Sequence, residues 1–175
     1  MKIIMRHSFW RQPHRLLLLA FLIFMISTFS CSSIDCSVQN TVATHYMLMT
    51  AVGTTDTLRD TMYISSTRRD GTDAVLYNAG IGLTEFKLPI GYSNPEDTLF
   101  FALHGADGVN TTDTVWIKKE NIPHFESVDC NVSFFHIITD VRCTHHGLDS
   151  ISINDPEVNF DTSNEHFYIY FKDRR

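Results

Sequence analysis

The stretch DTLFFALHGADGVNTTDTVWIKK, residues 97–119, decides the fold class of this chain. Alternate positions on each side of a glycine-containing segment are hydrophobic: Leu99, Phe101, Leu103, Val115 and Ile117. A period of two places such side chains on one face of a β-strand. The segment Gly105–Asn110 is rich in residues that favour turns. The stretch therefore predicts two strands, each with one face in a hydrophobic core.

The same pattern continues in both directions from this stretch. From Val42 onward, short runs rich in Thr, Val, Ile, Phe and Tyr are separated by Gly, Pro, Asn and Asp. The predicted strands are 42–49, 57–65, 74–78, 85–89, 98–104, 114–119, 124–128, 134–141, 150–153 and 166–172. Many short strands at near-regular spacing favour an all-β, antiparallel sandwich of the immunoglobulin-like or a related Greek-key type. A partly open β-barrel is the alternative.

Length and charge limit the class of protein. The chain has 175 residues, of which 43% are hydrophobic, and a formal net charge of −6. Residues 1–30 hold four basic residues and no acid, so the remaining 145 residues (175 − 30) carry −10 (−6 − 4). That length suits one domain with a single core. The acidic balance makes nucleic acid a poor partner.

The N-terminus has the pattern of an export signal. A basic segment up to Arg15 precedes an unbroken apolar run, Leu16–Ile26, and Cys31 follows four mostly small residues. Eleven apolar residues are too few for a permanent membrane helix, which needs about 20. A cysteine at this place resembles the bacterial lipobox, although Thr28 stands where leucine is usual. We expect residues 1–30 to be a lipoprotein signal peptide and Cys31 to carry the lipid; an ordinary secretory signal is the alternative.

The cysteines fit an oxidising compartment. If Cys31 carries lipid, then Cys36, Cys130 and Cys143 remain for pairing, and one of them is left over. Export favours a disulfide over a zinc site, since closely spaced cysteine pairs are absent. We favour a bridge between Cys36 and Cys130, which closes a long loop and holds the domain within about 18 Å of Cys31. Cys143 is then interpreted as a small apolar side chain.

Several short motifs resemble those of a known family. They are residues 31–36 (CSSIDC), 97–99 (DTL), 113–117 (DTVWI), 123–130 (PHFESVDC) and 149–154 (DSISIN). With the closing β segment, they resemble the uncharacterised small lipoproteins of Bacteroidetes, whose domain is of unknown function. The resemblance spans nearly the whole chain and implies the same pairing of Cys36 with Cys130. It brings no activity with it.

One set of residues suggests chemistry. His145, His146 and Asp149 supply two imidazoles and a carboxylate, and Gly147 allows a turn in which the imidazoles could converge. A metal-dependent enzyme or metal binder is therefore an alternative hypothesis, weaker than a plain surface turn. No Gly-x-Ser-x-Gly nucleophile motif occurs. We expect no enzyme activity and no cofactor.

A repeated Asp-Thr/Ser-aliphatic motif resembles the O-glycosylation acceptor pattern of exported Bacteroidetes proteins. The acceptor hydroxyls would be those of Thr57, Thr61, Thr98, Thr114 and Ser150. A purely structural explanation is equally good, because Asp suits a turn, Thr or Ser opens a strand and the aliphatic residue enters the core.

These observations predict a lipid-anchored protein of the cell envelope with a non-catalytic binding or structural role. Residues 31–175 would form one domain tethered at Cys31. Its partners would be the membrane, through the lipid, and an envelope protein or glycan. The residues after Cys31 lack an acidic cluster, so we expect the outer membrane with the domain facing the periplasm. A surface adhesin or glycan-binding module is a further alternative.

Overall fold

A computed structural model of the chain describes residues 17–18, 42–68, 70–128 and 130–172. Leu17 and Leu18 are helical and exposed. The predicted signal peptide otherwise lies outside the described residues, as do Cys31 and Cys36. The domain between Val42 and Lys172 contains β-strands and connecting loops, and no helix occurs in its described part.

Ten strands build the domain. They are β1 (Ala43–Leu48), β2 (Thr61–Thr67), β3 (Asp73–Gly80), β4 (Glu85–Pro89), β5 (Glu96–His104), β6 (Asn110–His124), β7 (Ser133–Cys143), β8 (Leu148–Ile153), β9 (Glu157–Val158) and β10 (Phe167–Phe171). One sheet has the order β4-β1-β10-β8 and the other the order β3-β2-β5-β6-β7-β9. All neighbours are antiparallel except β1 and β10, which are parallel. The predicted all-β, sandwich-like fold is confirmed, and one sheet curls like half a barrel.

The core lies between the inner faces of the two sheets. Tyr46 of β1 stacks on Phe86 and Phe167 within its own sheet and meets Phe101 of the other sheet edge-on. All four rings are buried. The inward positions predicted from the period of two are buried on β5 and β6, and on β10 at Phe167 and Ile169. Those of β8 are half-buried and pack against the core. Alternation therefore identified the faces correctly.

The sandwich has two ends that differ in the loops they carry. The entry end is where β1 begins: the N–H of Ile90, just after β4, donates to the carbonyl of Val42. The β6–β7 turn lies at this end too, because the ring of Tyr92 stacks on Phe134 of β7. The cleft end holds the β1–β2 connection and the β7–β8 turn. Six residues of β1 separate the two ends by roughly 20 Å.

The structure corrects three strand predictions. Residues 114–119 and 124–128 were expected to be separate strands, whereas β6 runs unbroken from Asn110 to His124 and residues 125–128 form a loop. Residues 57–60 are irregular, and β2 begins only at Thr61. The two-residue β9 was not predicted. It exists because a loop reaches the free edge of β7, a tertiary contact that gives no period in the sequence.

Candidate functional site

A cleft of about 600 Å³ opens at the cleft end of the described domain. The β1–β2 connection and the ends of β8 and β10 form its walls. Its lining includes carboxylates, cations and aromatic rings: Asp56, Asp60, Asp149, Arg59, Lys172, Tyr170 and Phe171. The cleft thus combines apolar surface with polar groups of both charges, a composition typical of ligand sites.

A buried carboxylate holds the turn that forms one wall of the cleft. Asp113 lies inside β6 and is fully buried. Its Oδ1 accepts hydrogen bonds from the N–H of His146 (2.6 Å) and the hydroxyl of Thr144 (2.8 Å). Its Oδ2 accepts from the N–H groups of Gly147 (2.6 Å) and Leu148 (2.8 Å). Residues 144–148 are therefore fixed to the six-stranded sheet by one side chain.

These bonds decide the ionisation of Asp113. Burial by itself raises the pKa of a carboxyl group, because it removes water from the charged form. The backbone donors of His146, Leu148 and Gly147, with the Thr144 hydroxyl, outweigh burial and leave the pKa of Asp113 below its ordinary value. The carboxylate is charged at neutral pH, and each of its oxygens has donors. Its role is to position the turn.

The structure places His145 and His146 in a turn, as predicted, but directs their rings to different oxygens. Nδ1 of His145 lies 2.7 Å from the carbonyl oxygen of Asp149, whereas Nδ1 of His146 lies 3.2 Å from Oδ1 of Asp113. Asp149 is among the residues that line the cleft. Within the described ranges, no group of three or more His, Cys, Asp or Glu side chains is arranged to hold a metal ion. The predicted trio is not assembled as a metal site.

The C-terminal strand closes the cleft from the other side. The ammonium group of Lys172 donates to the carbonyl of His145 at 2.6 Å, and the backbone N–H of Lys172 donates to the carbonyl of Gly147. Tyr170, two residues earlier, is half-buried and also lines the cleft. The β7–β8 turn is thus held by Asp113 on one side and by Lys172 on the other.

The five predicted glycosylation hydroxyls differ in their surroundings. Thr57 is exposed in the irregular stretch before β2 and lines the cleft. The other four are half-buried within strands: Thr61, Thr98, Thr114 and Ser150. The structural explanation of the motif places its aspartates in turns, but Asp97, Asp113 and Asp149 lie within β5, β6 and β8.

Among the cysteines of the described region, Cys143 is free and half-buried. It packs against the core, and burial raises the pKa of its thiol, with the carboxylates of Asp113 and Asp149 adding to the effect. Cys130 lies in the loop between β6 and β7. Because Cys36 lies outside the described residues, its pairing with Cys130 stays a prediction.

A second polar cluster lies toward the entry end and was missed by the sequence analysis. The ammonium group of Lys119 is buried and lies 2.8 Å from Oδ1 of Asp97. His136 is also buried, with its Nδ1 2.8 Å from Oδ1 of Asn121. A signal was present: Lys119 continues the inward series of Val115 and Ile117 by two residues. A lysine at an inward position indicates a buried partner.

This cluster ties the strands to the loop after β4. The N–H of Gly91 donates to Asp97, and the amide of Asn121 donates to the carbonyl of Tyr92. Burial lowers the pKa of His136 to about 4, and the charge of Lys119 contributes to the shift. His136 is therefore neutral at pH 7. The cluster positions the entry end, as Asp113 positions the cleft end.

The part of the chain that the structure describes contains no helix that is both long enough and apolar enough to cross a membrane.

Fold and site together define a class of protein: an all-β domain of two sheets with a cleft at one end. Buried polar residues hold the loops at both ends of this domain in place. The chain belongs to the family of unknown function DUF6452, whose model matches residues 61–171. The match begins at β2 and ends at the last residue of β10. No curated protein and no solved structure matches the chain significantly.

Proposed function

We propose that this protein is exported, anchored through a lipid on Cys31, and acts in the cell envelope by binding a partner without catalysing a reaction. The signal-like N-terminus and Cys31 support the anchor. The single observation that carries the binding role is the position of the cleft. It opens at the end of the sandwich opposite Val42, where the tethered chain enters the domain.

This arrangement suits an anchored binding module. Ten residues lie between Cys31 and Val42, and this stretch of chain spans at most about 40 Å. The tether keeps the entry end within about 40 Å of the bilayer, and it allows the cleft end to lie farther out by the length of the strands. Asp113 and Lys172 fix the walls of the cleft from two sides. A rigid, preformed cleft loses little conformational freedom on binding.

The anchor is tested by the intact mass of the mature protein from its native host. We expect a diacyl or triacyl increment on a chain that begins at Cys31. A chain of unmodified mass would contradict the anchor. The Cys31→Ser variant is the control and should show neither the increment nor membrane association.

The binding role is tested by site-specific photo-crosslinking in intact cells. A photoreactive residue replaces Thr57, which is exposed and lines the cleft, or Val75, which is exposed on β3 outside it. We expect a discrete adduct from position 57 that position 75 does not give. Equal labelling at both positions would contradict a partner at the cleft. Protease protection of the domain in intact cells would support a periplasmic location over surface display.

A glycan is the second candidate ligand, favoured by the chemistry of the lining. Tyr170 offers an aromatic ring, and the carboxylates of Asp56 and Asp149 accept hydrogen bonds from hydroxyl groups. Titration calorimetry with envelope oligosaccharides tests this candidate. Binding should be weakened by Tyr170→Ala and retained by Tyr168→Ala, since Tyr168 is not among the residues that line the cleft.

A further inference from the structure

The β6–β7 turn is carried on a hairpin whose strand β6 extends past the end of β5. The pairing of β5 with β6 ends at Glu96 and Lys118. Beyond Lys118, β6 pairs with β7 alone, as far as His124 and Ser133. We call residues 119–128 and 130–138 the hairpin arm. Strand β9 flanks the arm at His136 and Ile137, and the turn of the arm lies at the entry end, where the tethered chain joins the domain.

The hairpin arm carries an unusual share of the exposed apolar surface. Between residues 42 and 172, the large hydrophobic side chains described as exposed fall into two groups. On or against the arm are Tyr92, Ile122, Phe125, Val128, Val132 and Phe160, and elsewhere are Val52, Val75, Ile81 and Val109. The exposed aromatic rings of this set all belong to the first group. Phe125 is 68% exposed and Val128 99% exposed.

Stacked rings support both faces of the arm. On one face, Phe134 stacks on Tyr92 with ring centroids 4.7 Å apart. On the other, Phe135 stacks on His124 at 4.1 Å and meets Phe160 edge-on at 5.0 Å. The arm is thus held in place next to its turn, and in that turn Phe125 and Val128 are exposed to solvent. A rigid arm tipped with apolar side chains loses little entropy when that tip is buried.

From this geometry we propose that the tip of the hairpin arm, Phe125 and Val128 above all, inserts into the interfacial layer of the membrane that holds the lipid anchor. The inference rests on the proposed anchor at Cys31 and does not require the disulfide. The membrane is the expected partner of the tip because the tether joins the domain at Val42, at the same end of the sandwich. Apolar and aromatic side chains favour the boundary between headgroups and acyl chains.

The negative charge of the protein determines which kind of bilayer the tip of the hairpin arm is expected to bind. The mature chain carries a formal charge of −10, and Glu126 lies on the tip itself. Both oppose an anionic surface, so insertion would depend on apolar contact. We therefore expect binding to zwitterionic bilayers and little gain from added anionic lipid.

The test places tryptophan at two matched exposed valines of the full, lipidated protein. Val128→Trp marks the arm, and Val52→Trp marks the cleft end, where Val52 is 85% exposed. Each protein is reconstituted in phosphatidylcholine–phosphatidylethanolamine vesicles whose acyl chains carry bromine near the headgroups. Fluorescence is read against the parent protein, which contains Trp116. At an insertion depth of roughly 5–10 Å, the quenching at position 128 should exceed that at position 52 by at least about twofold.

The outcomes separate the two proposals. A blue-shifted, quenched tryptophan at position 128, with an unquenched one at 52, supports the inserted arm. Equal and weak quenching in protein that carries its acyl groups overturns the arm and leaves the anchor standing. Protein without an acyl increment on Cys31 overturns both. A blue shift at position 128 without vesicles, together with a dimer in light scattering, overturns insertion in favour of a second copy of this chain.

Discussion

The carboxylate of Asp113 on β6 accepts a 2.6 Å hydrogen bond from the N–H of Gly147 in the β7–β8 turn. The two residues are 34 positions apart in the chain, and the bond is buried. Through this contact and its neighbours, one side chain of the six-stranded sheet fixes a wall of the cleft. Substitutions can measure how much buried polar contacts of this kind contribute to stability. Chemical labelling can measure the exposure of individual hydroxyls and thiols.

Replacing Asp113 should destabilise the domain strongly. In Asp113→Asn, one carboxylate oxygen becomes an NH₂ group, which cannot accept from the buried N–H groups it faces. We expect a loss of about 3–4 kcal/mol in the free energy of unfolding, measured by urea denaturation. Asp140→Asn is the control, because Asp140 is exposed on β7, and should change stability by less than about 0.5 kcal/mol. Equal effects would contradict the role assigned to Asp113.

Stability should fall on mild acidification because of His136. Burial, with Lys119, lowers its pKa from 6.5 to about 4 in the folded protein. The unfolded chain therefore binds more protons between those values. The contribution of His136 to the free energy of unfolding is fully present above pH 6.5 and is lost as pH falls toward 4. The loss from this residue is at most about 3 kcal/mol. Burial lowers the pKa of His166 as well, so that residue acts in the same direction.

The measurement is the urea midpoint of unfolding at pH 7.5 and at pH 4.5. In His136→Gln the drop between the two should shrink, because glutamine keeps a polar group beside Asn121 without titrating. His104→Gln changes an exposed imidazole and should leave the drop unchanged. A His136→Gln protein with the full drop would show that other groups cause it.

Breaking the ion pair of Lys119 should cost more than removing an exposed lysine. Lys119→Met leaves Asp97 without its cation, and we expect a loss of roughly 3 kcal/mol. Lys118→Met, one residue away and exposed, should change stability by less than about 0.5 kcal/mol. The double variant Lys119→Met with Asp97→Asn should recover part of the loss. Additive losses would contradict a coupled pair.

Alkylation should distinguish the cysteines of the mature protein. Without reductant, we expect a single label on Cys143, slow at neutral pH because burial raises the pKa of its thiol. After reduction and unfolding, two further labels should map to Cys36 and Cys130. Three labels before reduction would rule out the predicted disulfide.

Glycosylation should favour Thr57 among the five predicted hydroxyls. Thr57 is exposed outside the strands, whereas Thr98 is half-buried within β5. If the native host glycosylates the chain, peptide mapping should find the highest occupancy at Thr57. Thr57→Ala should then lower the intact mass by one glycan, and Thr98→Ala should lower it much less. Higher occupancy at Thr98 than at Thr57 would contradict the expectation that exposed hydroxyls are glycosylated in preference to half-buried ones.

Local pattern predicted much of the fold and little of the site. The series Leu99, Phe101 and Leu103 identified an inward face correctly, because alternation is a property of neighbouring residues alone. The same rule places Lys119 at an inward position, and its partner Asp97 lies on the other strand of the same predicted hairpin; the pair was missed because the period of two gives the face of a side chain and not the register between strands. The cleft was missed because its walls come from segments up to 123 residues apart (Met49 to Lys172).

The sequence by itself determined the all-β class, the strand faces, the acidic charge and the export-like N-terminus, since each depends on composition or on short-range periodicity. Only the tertiary structure decided that β1 and β10 run parallel, that Asp113 holds the β7–β8 turn, and that the arm and the cleft lie at opposite ends. Those facts depend on strand order. Strand order is set by how the two apolar faces close over one core, and no local period encodes it.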